Sequence, residues 1–225
     1  MRLRHGAPGI QGEAAPAARL SRLHAARLYF VTPDRAPDAV CEVALAAIKG
    51  GADVVQLRHK SLPRGELLEL ARRLRELASK NDRLLVVNDH VDIALLAGAD
   101  GVHLGPDDVS VGSARRVAGD RLLIGASASS VEAAREAEDD GADYLGSGPA
   151  FATPIKTEKK VIGPAAIAEI ARAVQIPVFA IGGIDASNVG DLVAAGVRRA
   201  CVIRAIGEAG DPEAAARTLR AMLDA

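Results

Sequence analysis

The chain has 225 residues, 49% of them hydrophobic, and its 28 basic and 29 acidic side chains give a formal net charge of −1. This length and composition allow one large α/β domain, or two small ones, with a sizeable core. A charge so close to zero provides no overall field to attract nucleic acid or an anionic membrane, so any anion must be bound locally. The longest apolar runs, such as residues 176–184, are far shorter than the roughly 20 residues that cross a bilayer. We therefore predict neither a nucleic-acid partner nor a membrane partner.

The first 24 residues contain four arginines against a single acid, Glu13, and no apolar stretch of the length that a secretory signal needs. We interpret residues 1–24 as a flexible N-terminal extension and residues 25–225 as the folded domain. Cys41 and Cys201 form no CxxC pair and lack the histidine spacing of a zinc site. Buried, reduced thiols in a cytoplasmic protein are expected, with a structural disulfide as the alternative.

Short β-branched runs alternate along the chain with segments whose apolar residues recur every three or four positions, the pattern of strands alternating with amphipathic helices. Strands are predicted at residues 27–32, 53–58, 84–89, 101–104, 122–127, 143–148, 178–183 and 200–205. Eight buried strands joined by helices require parallel pairing, so the predicted fold is a single (β/α)8 TIM barrel. An open doubly wound sheet is the alternative, although no strand-linked G-x-G-x-x-G motif opens a helix here.

Polar side chains collect where the predicted strands end, which is the active-site face of such a barrel. Strand two ends with Gln56, Arg58 and Lys60 at alternate positions, which places them on one side of an extended segment. The other polar residues at strand ends are Asn88, Asp89, Asp107, Asp108, Ser127, Ser129, Thr153 and Lys156. Three polar groups that face inward are difficult to explain by packing, so this end of the barrel is predicted to be the functional site.

The charges at this end suggest two kinds of ligand. Arg58, Lys60 and Lys156 suit an anion with many oxygens, whereas Asp89 and Asp108 suit a hard cation such as Mg²⁺. Any one of these residues could instead form a simple ion pair. Their grouping predicts a pyrophosphate bound together with magnesium.

A second anion site is predicted after strands seven and eight. Gly182 and Gly183 lie in the segment AIGGI, and glycines there let backbone N–H groups approach a phosphate, as the last two loops of such barrels often do. A tight turn without a ligand is the alternative explanation. The segment VIRAI adds Ile203 and Arg204 to the same end of the barrel.

Five segments occur in a characteristic order, namely QLRHK, NDHVDIALLAGADGVHLGPDD, GASASS, GADYLGSGPAFATPIK and PVFAIGGI. In order and spacing they resemble the thiamine phosphate synthase and thiazole tautomerase family, from about residue 27 to the C-terminus. The synthases are barrel enzymes that join hydroxymethylpyrimidine pyrophosphate to thiazole phosphate with Mg²⁺ and release pyrophosphate. The resemblance implies a transferase of thiamine biosynthesis with two small-molecule substrates, and association into a homo-oligomer is left open.

The resemblance also implies a role for each site residue. The catalytic residues that hold the pyrophosphate would be Arg58, Lys60, Ser127 and Lys156. The magnesium ligands would be Asp89 and Asp108. The substrate-binding residues would be Gln56 and Asn88 for the pyrimidine, and Thr153 and Gly183 for the thiazole phosphate. Ile203 and Arg204 are also predicted to bind substrate, and Arg204, where the family commonly has Ser, could either grip the thiazole phosphate or fill its pocket.

Four positions differ from the usual pattern of the family, namely His90, Ser129, Ile155 and Arg204. The tautomerase relies on a histidine where this chain has Ser129, so tautomerase activity is disfavoured unless His90 or His103 supplies the proton transfer. His103 lies within strand four, where a core or supporting role is expected. A barrel that only binds a phosphorylated ligand is a third hypothesis, and the retained acids and cations argue against it.

Overall fold

The computed structural model describes residues 16–152 and 160–225. Eight parallel strands pair in chain order, and β1 pairs with β8, so the sheet closes into a barrel. The strands are β1 (Leu28–Val31), β2 (Val54–Leu57), β3 (Leu84–Asn88), β4 (Gly101–Leu104), β5 (Leu123–Ser127), β6 (Tyr144–Ser147), β7 (Val178–Ile181) and β8 (Ala200–Val202). The predicted (β/α)8 barrel is confirmed, and the open sheet is excluded.

Helices cover the outside of the barrel. In the described ranges they are α1 (Pro16–Ala25), α2 (Pro37–Lys49), α3 (Arg64–Lys80), α4 (Val91–Ala97), α5 (Val111–Ala118), α6 (Val131–Asp139), α7 (Gly163–Ala173), α8 (Val189–Ala194), α9 (Arg204–Gly207) and α10 (Pro212–Asp224). A large apolar cluster lies between helices and strands, and a smaller cluster fills the barrel itself. Because α9 begins at Arg204, β8 is shorter than predicted.

Aspartates in the turns before the strands fasten neighbouring strands at the amino-terminal end of the barrel. Asp100 precedes β4, is 1% exposed, and accepts the backbone N–H of Leu85 in β3 at 2.9 Å. Arg75 of α3 neutralises it from 3.0 Å. The same arrangement recurs at two other turns, in the pairs Asp53–Arg220 and Asp143–Arg115. Each pair connects a turn to an adjacent strand and to an outer helix.

Helix α1 closes the amino-terminal end of the barrel, so the expectation of a flexible extension is wrong for residues 16–24. Leu23 is fully buried in the cluster that fills the barrel. Arg19 is 3% exposed and donates to the carbonyl oxygen of Asp120, just before β5, at 2.7 Å. The arginine content of this segment suggested solvent exposure, but Arg19 binds backbone at the barrel rim while Leu23 enters the core. Arg22 pairs with the exposed carboxylate of Asp82. Residues 1–15 lie outside the described residues.

Both cysteines are free thiols, so they do not form the alternative disulfide. Cys201 is buried in β8, as expected, whereas the expectation of burial is wrong for Cys41, whose side chain is partly exposed on α2. Among residues 16–152 and 160–225, no helix combines the length and the apolarity that crossing a bilayer requires.

Candidate active site

A cleft of about 250 Å³ opens between the loops that follow β2 and β3. Three predicted site residues, Lys60, Asn88 and Asp89, line it. Its other polar lining residues are His59, Arg64 and His90. The cleft therefore lies at the carboxyl ends of the strands, where the sequence predicts the site.

The carboxyl groups of Asp89 and Asp108 lie beside this cleft, near enough for each to affect the ionisation of the other. Asp89 follows β3 in a left-handed conformation with φ of 64°, and its backbone N–H donates to the carbonyl oxygen of His103 at 2.9 Å. Asp108 is held by the N–H of Gly105, which donates to its Oδ2 at 2.8 Å. Burial, the contact with Asp108 and the repulsion from its charge raise the pKa of Asp89 to about 6.

The two acids suit a hard divalent cation. Within the described ranges, no group of three or more His, Cys, Asp or Glu side chains could hold a metal ion. A fully protein-ligated zinc site would need such a group, whereas Mg²⁺ keeps several waters and uses one or two carboxylates plus substrate phosphate oxygens. A carboxyl whose pKa is raised by burial and by a neighbouring carboxylate gains from a nearby cation, which fits the second arrangement.

The predicted cations of the QLRHK segment lie in the loop after β2. Because β2 ends at Leu57, the alternating-strand argument applies to Gln56 and not to Arg58 and Lys60. The backbone N–H of Arg58 donates to the hydroxyl of buried Thr32 at 3.1 Å. The carboxylate of Asp34 contacts the other residues of this loop, His59 and Lys60.

Asp34, in the loop after β1, contacts the loop that carries the cations. Its Oδ1 accepts the N–H of Lys60 at 3.0 Å, and its Oδ2 lies 4.0 Å from Nη1 of Arg58. Asp34 also lies 3.8 Å from the ring of His59. Sequence reasoning missed this residue because a lone acid in an exposed loop carries no signal. The Lys60 side chain is exposed and Arg58 is partly exposed, so both cations face the solvent side of the site.

A chain of hydrogen bonds crosses the interior of the barrel and ends at two predicted site residues. Nε2 of Gln56 donates to the hydroxyl of Tyr29 at 2.8 Å, and the hydroxyls of Tyr29 and Tyr144 are 2.9 Å apart. Nδ1 of His103 lies 3.3 Å from the hydroxyl of Tyr144, and Nε2 of His103 lies 3.0 Å from Oγ of Ser127. We call these five residues the barrel chain.

Tyr29 and Tyr144 are fully buried core residues, and sequence reasoning gave them no role in the site. It missed their hydrogen bonds. The available signal was the phenolic hydroxyl itself, because a buried tyrosine on an inward-facing strand position needs a polar partner. The supporting role expected for His103 agrees with its contacts to Tyr144 and Ser127.

The glycines of the predicted second anion site are required by packing. Gly182 and Gly183 have φ of 100° and 65°. A Cβ on Gly182 would lie 2.8 Å from Cα of Pro149, and a Cβ on Gly183 would lie 2.4 Å from the carbonyl oxygen of Ala152. The alternative explanation, a tight turn, therefore accounts for both glycines without a ligand.

Ile203 and Arg204 follow β8 at the same end of the barrel. The Arg204 guanidinium lies 4.0 Å from Glu208 and its side chain is 40% exposed. Its charge contributes to lowering the pKa of Asp185, after the hydrogen bonds from Ser187. Arg204 is loosely held and available to an anion. The two remaining predicted site residues, Thr153 and Lys156, lie outside the described residues.

A (β/α)8 barrel that presents acids and cations at the carboxyl ends of its strands belongs, by fold and by the position of its candidate site, to the class of barrel enzymes. A family model described as thiamine monophosphate synthase matches residues 28–206. The chain belongs to this family.

Curated relatives carry the corresponding name. The thiamine-phosphate synthase of Methanoculleus marisnigri is 49% identical over 196 residues, which cover 86% of this chain and 93% of that protein. The thiamine-phosphate synthase of Gloeobacter violaceus is 45% identical over 192 residues, which cover 85% of this chain but only 56% of that longer protein. A solved structure, the thiamine phosphate pyrophosphorylase from Pyrococcus furiosus, has a TM-score of 0.83 and 40% identity, covering 91% of this chain and 97% of the other.

Proposed function

We propose that this chain forms thiamine phosphate by joining hydroxymethylpyrimidine pyrophosphate to thiazole phosphate, with release of pyrophosphate. The observation that carries the proposal is the contact between the carboxyls of Asp89 and Asp108, close enough to Arg58 for its charge to act on Asp89. This arrangement suits a pyrophosphate bound with a magnesium ion. The family membership supports the same reaction.

In the proposed reaction the bond between the pyrimidine methylene carbon and the pyrophosphate oxygen breaks, and a bond from the thiazole nitrogen to that carbon forms. Arg58, Lys60 and Lys156 would bind the leaving oxygens, where negative charge develops, and Ser127 would donate a hydrogen bond to them. Mg²⁺, held by the two aspartates, would neutralise part of that charge. The electron-rich aminopyrimidine carries the positive charge until the thiazole attacks, so no protein nucleophile is needed.

The remaining predicted residues would orient the two rings. Gln56 and Asn88 would contact the pyrimidine. Thr153, Gly183, Ile203 and Arg204 would face the thiazole phosphate. The exposed guanidinium of Arg204 supports this assignment, because its weak contact with Glu208 leaves donors for a phosphate. We place the enzyme in the cytoplasm, a proposal supported by its two free thiols.

The test is pyrophosphate release by the purified chain, given both substrates with Mg²⁺, each substrate alone, and both substrates with EDTA. We expect release only with both substrates and Mg²⁺, with thiamine phosphate formed in equal amount. Stoichiometric release without thiamine phosphate, or turnover in EDTA, would contradict the proposal. Binding of the substrates without turnover would favour a barrel that only binds a phosphorylated ligand.

Two neighbouring acids provide a matched pair for the metal assignment. Asp108→Asn removes one charge from the carboxyl pair and is expected to lower kcat/KM by at least about 100-fold, a loss typical of removing a group that stabilises the transition state. Asp107→Asn removes the same charge one residue away, at an exposed side chain, and is expected to stay within about twofold of the wild type. Equal losses in the two variants would remove Asp108 from the site.

A further inference from the structure

The barrel chain connects two strands that carry different predicted contacts. Gln56 lies on β2 and Ser127 ends β5, and Tyr29, Tyr144 and His103 join them through the barrel interior. Every link is 3.3 Å or shorter. Two predicted site residues are therefore linked through two buried tyrosines and the half-buried His103.

The first link sets the direction of all the others. The amide nitrogen of Gln56 can only donate, so the oxygen of Tyr29 accepts and its proton is left for Tyr144. The oxygen of Tyr144 is then the acceptor of that proton, and its own proton points to Nδ1 of His103. A neutral imidazole that accepts at Nδ1 carries its proton on Nε2, which donates to Ser127.

We infer that the barrel chain has one donor direction, from Gln56 to Ser127, and that Tyr29, Tyr144 and His103 are positioning residues that fix the hydrogen-bonding roles of the two ends. Gln56 then presents its carbonyl oxygen as an acceptor. Ser127, whose oxygen already accepts from His103, presents its hydroxyl proton as a donor. With the opposite direction, Gln56 would present its amide NH₂ as a donor. The Ser127 hydroxyl would then donate its proton to His103 and would have no proton to donate to a ligand.

The two ends match the chemistry of the substrate in the proposed function, on which this part of the inference rests. The amino group of an aminopyrimidine donates hydrogen bonds, so it needs an acceptor such as the Gln56 oxygen. A pyrophosphate only accepts, so it needs a donor such as the Ser127 hydroxyl. The barrel chain thus selects a molecule with a donating ring substituent at one end and an anionic leaving group at the other.

The barrel interior is built around this chain. A Cβ on Gly125 of β5 would lie 2.0 Å from Cζ of Tyr144, so only glycine leaves room for that ring. A Cβ on Gly146 of β6 would lie 3.2 Å from Cε1 of His103. Burial raises the pKa of both tyrosines above the ordinary value, which keeps their hydroxyls protonated and able to donate.

Reversing the first link tests the direction without an activity assay. In Gln56→Glu the ionised carboxylate can only accept, so each hydrogen bond should turn around and the proton of His103 should move from Nε2 to Nδ1. In Gln56→Met the link is lost but nothing forces a reversal, so the proton should stay on Nε2. Nitrogen-15 NMR of the histidine ring, assigned with a His103→Gln sample, distinguishes the two tautomers.

The spectra are recorded from pH 6 to pH 9.5, because burial can raise the pKa of a glutamate by several units. A proton on Nε2 in the wild type and in Gln56→Met, with a switch to Nδ1 in Gln56→Glu, would establish the direction. A wild-type proton on Nδ1, or no switch at any pH in Gln56→Glu, would overturn it. These outcomes do not depend on turnover, so they separate the failure of this inference from the failure of the proposed function.

A kinetic measurement tests the positioning role. Tyr144→Phe removes one hydroxyl from the middle of the chain, and kcat for pyrophosphate release is expected to fall about tenfold, the effect of one lost hydrogen bond in a buried network. The KM for thiazole phosphate should stay unchanged, since that substrate contacts other residues. An unchanged kcat would show that the barrel chain does not position Gln56 and Ser127.

Phe179 provides the control for packing. Its ring contacts both tyrosine rings, with centroids 5.4 Å from Tyr29 and 5.9 Å from Tyr144, but it has no hydrogen-bonding group. Phe179→Leu is expected to lower the melting temperature more than Tyr144→Phe does, and to leave kcat within about twofold of the wild type. If kcat instead fell in proportion to the loss of stability in both variants, the tyrosines would be only structural.

Discussion

At the end of β3, Asp89 has two features that each lower the stability of the folded chain. Its backbone lies in the left-handed region, which is uncommon for residues other than glycine, and its carboxyl is repelled by that of Asp108. Such costs persist only where the surrounding structure imposes them, and they cluster at functional sites. The two costs at Asp89 therefore agree with its place in the candidate site.

The raised pKa of Asp89 predicts a pH-dependent gain in stability for Asp89→Asn. The folded pKa of about 6 lies above the ordinary 3.8, so the stability present when the carboxyl is protonated is lost as pH rises through 6. Asparagine does not titrate. Without Mg²⁺ and at pH 8, the variant should therefore be more stable by about 1–2 kcal/mol, after allowance for solvent screening of a partly exposed group.

Thermal unfolding at pH 5, 6, 7 and 8 checks this expectation. The difference between variant and wild type should be largest at pH 8 and should narrow towards pH 5. Asp107→Asn is the control, because its side chain is exposed and it should show no such trend. A variant that is no more stable than the wild type at pH 8 would mean that the two carboxyls do not repel each other.

The site residues that could be predicted from the sequence are those at strand ends. The grouping of Lys60, Asn88 and Asp89 around one cleft follows from the rule that parallel strands finish on the same face. The barrel chain could not be predicted in the same way, because its links join residues far apart in sequence. Tyr29 and Tyr144, for example, are 115 positions apart. No periodic pattern encodes such a contact.

At the level of whole elements, the strand and helix pattern was sufficient to predict all eight strands, because each is a short apolar run between turns. Their ends were less predictable. Residues 58–60 continue the alternation of β2, but Thr32 and Asp34 bind their backbone in a loop conformation. Tertiary hydrogen bonds therefore decided where that strand stops.

Helix α3 offers a test of the aspartates that fasten neighbouring strands, at the buried Asp100. Arg75→Leu leaves Asp100 buried without its nearest cation, and we expect the free energy of unfolding to fall by about 2–4 kcal/mol. Arg72→Leu, on the same helix, removes an exposed pair with Glu69 and should cost no more than about 0.5 kcal/mol. Urea denaturation measures both. Similar losses would mean that the buried pair contributes no more than a surface pair.

On the scale of the whole molecule, α1 covers the amino-terminal end of the barrel, opposite the candidate site. Its buried Leu23 packs in the cluster that fills the barrel, and its hydrogen bonds reach the loops before the strands. Sequence reasoning missed this closure because the segment resembles an exposed basic tail. The face that carries the candidate site and the face that α1 closes therefore lie at opposite ends of the barrel, as the active-site face and the stabilising face do in other barrels of this type.

Two leucines of α1 allow the closure to be tested with the same substitution. Leu23→Ala empties a fully buried position and is expected to lower the free energy of unfolding by about 2–4 kcal/mol. Leu20→Ala changes a side chain that is 38% exposed and should cost less than about 1 kcal/mol. Urea denaturation of the full chain gives both values. If the two variants lost equal stability, α1 would be attached mainly by its surface contacts.

The tyrosine pair has a practical consequence for spectroscopy. The full sequence contains two tyrosines and no tryptophan, and both tyrosines are in the barrel chain. Near 280 nm the unlabelled protein therefore absorbs and fluoresces almost entirely from the centre of the barrel. Ultraviolet difference spectra recorded while a ligand binds at the carboxyl ends of the strands would report on the hydrogen bonds of the barrel chain. They would need no dye and would have no background from surface residues.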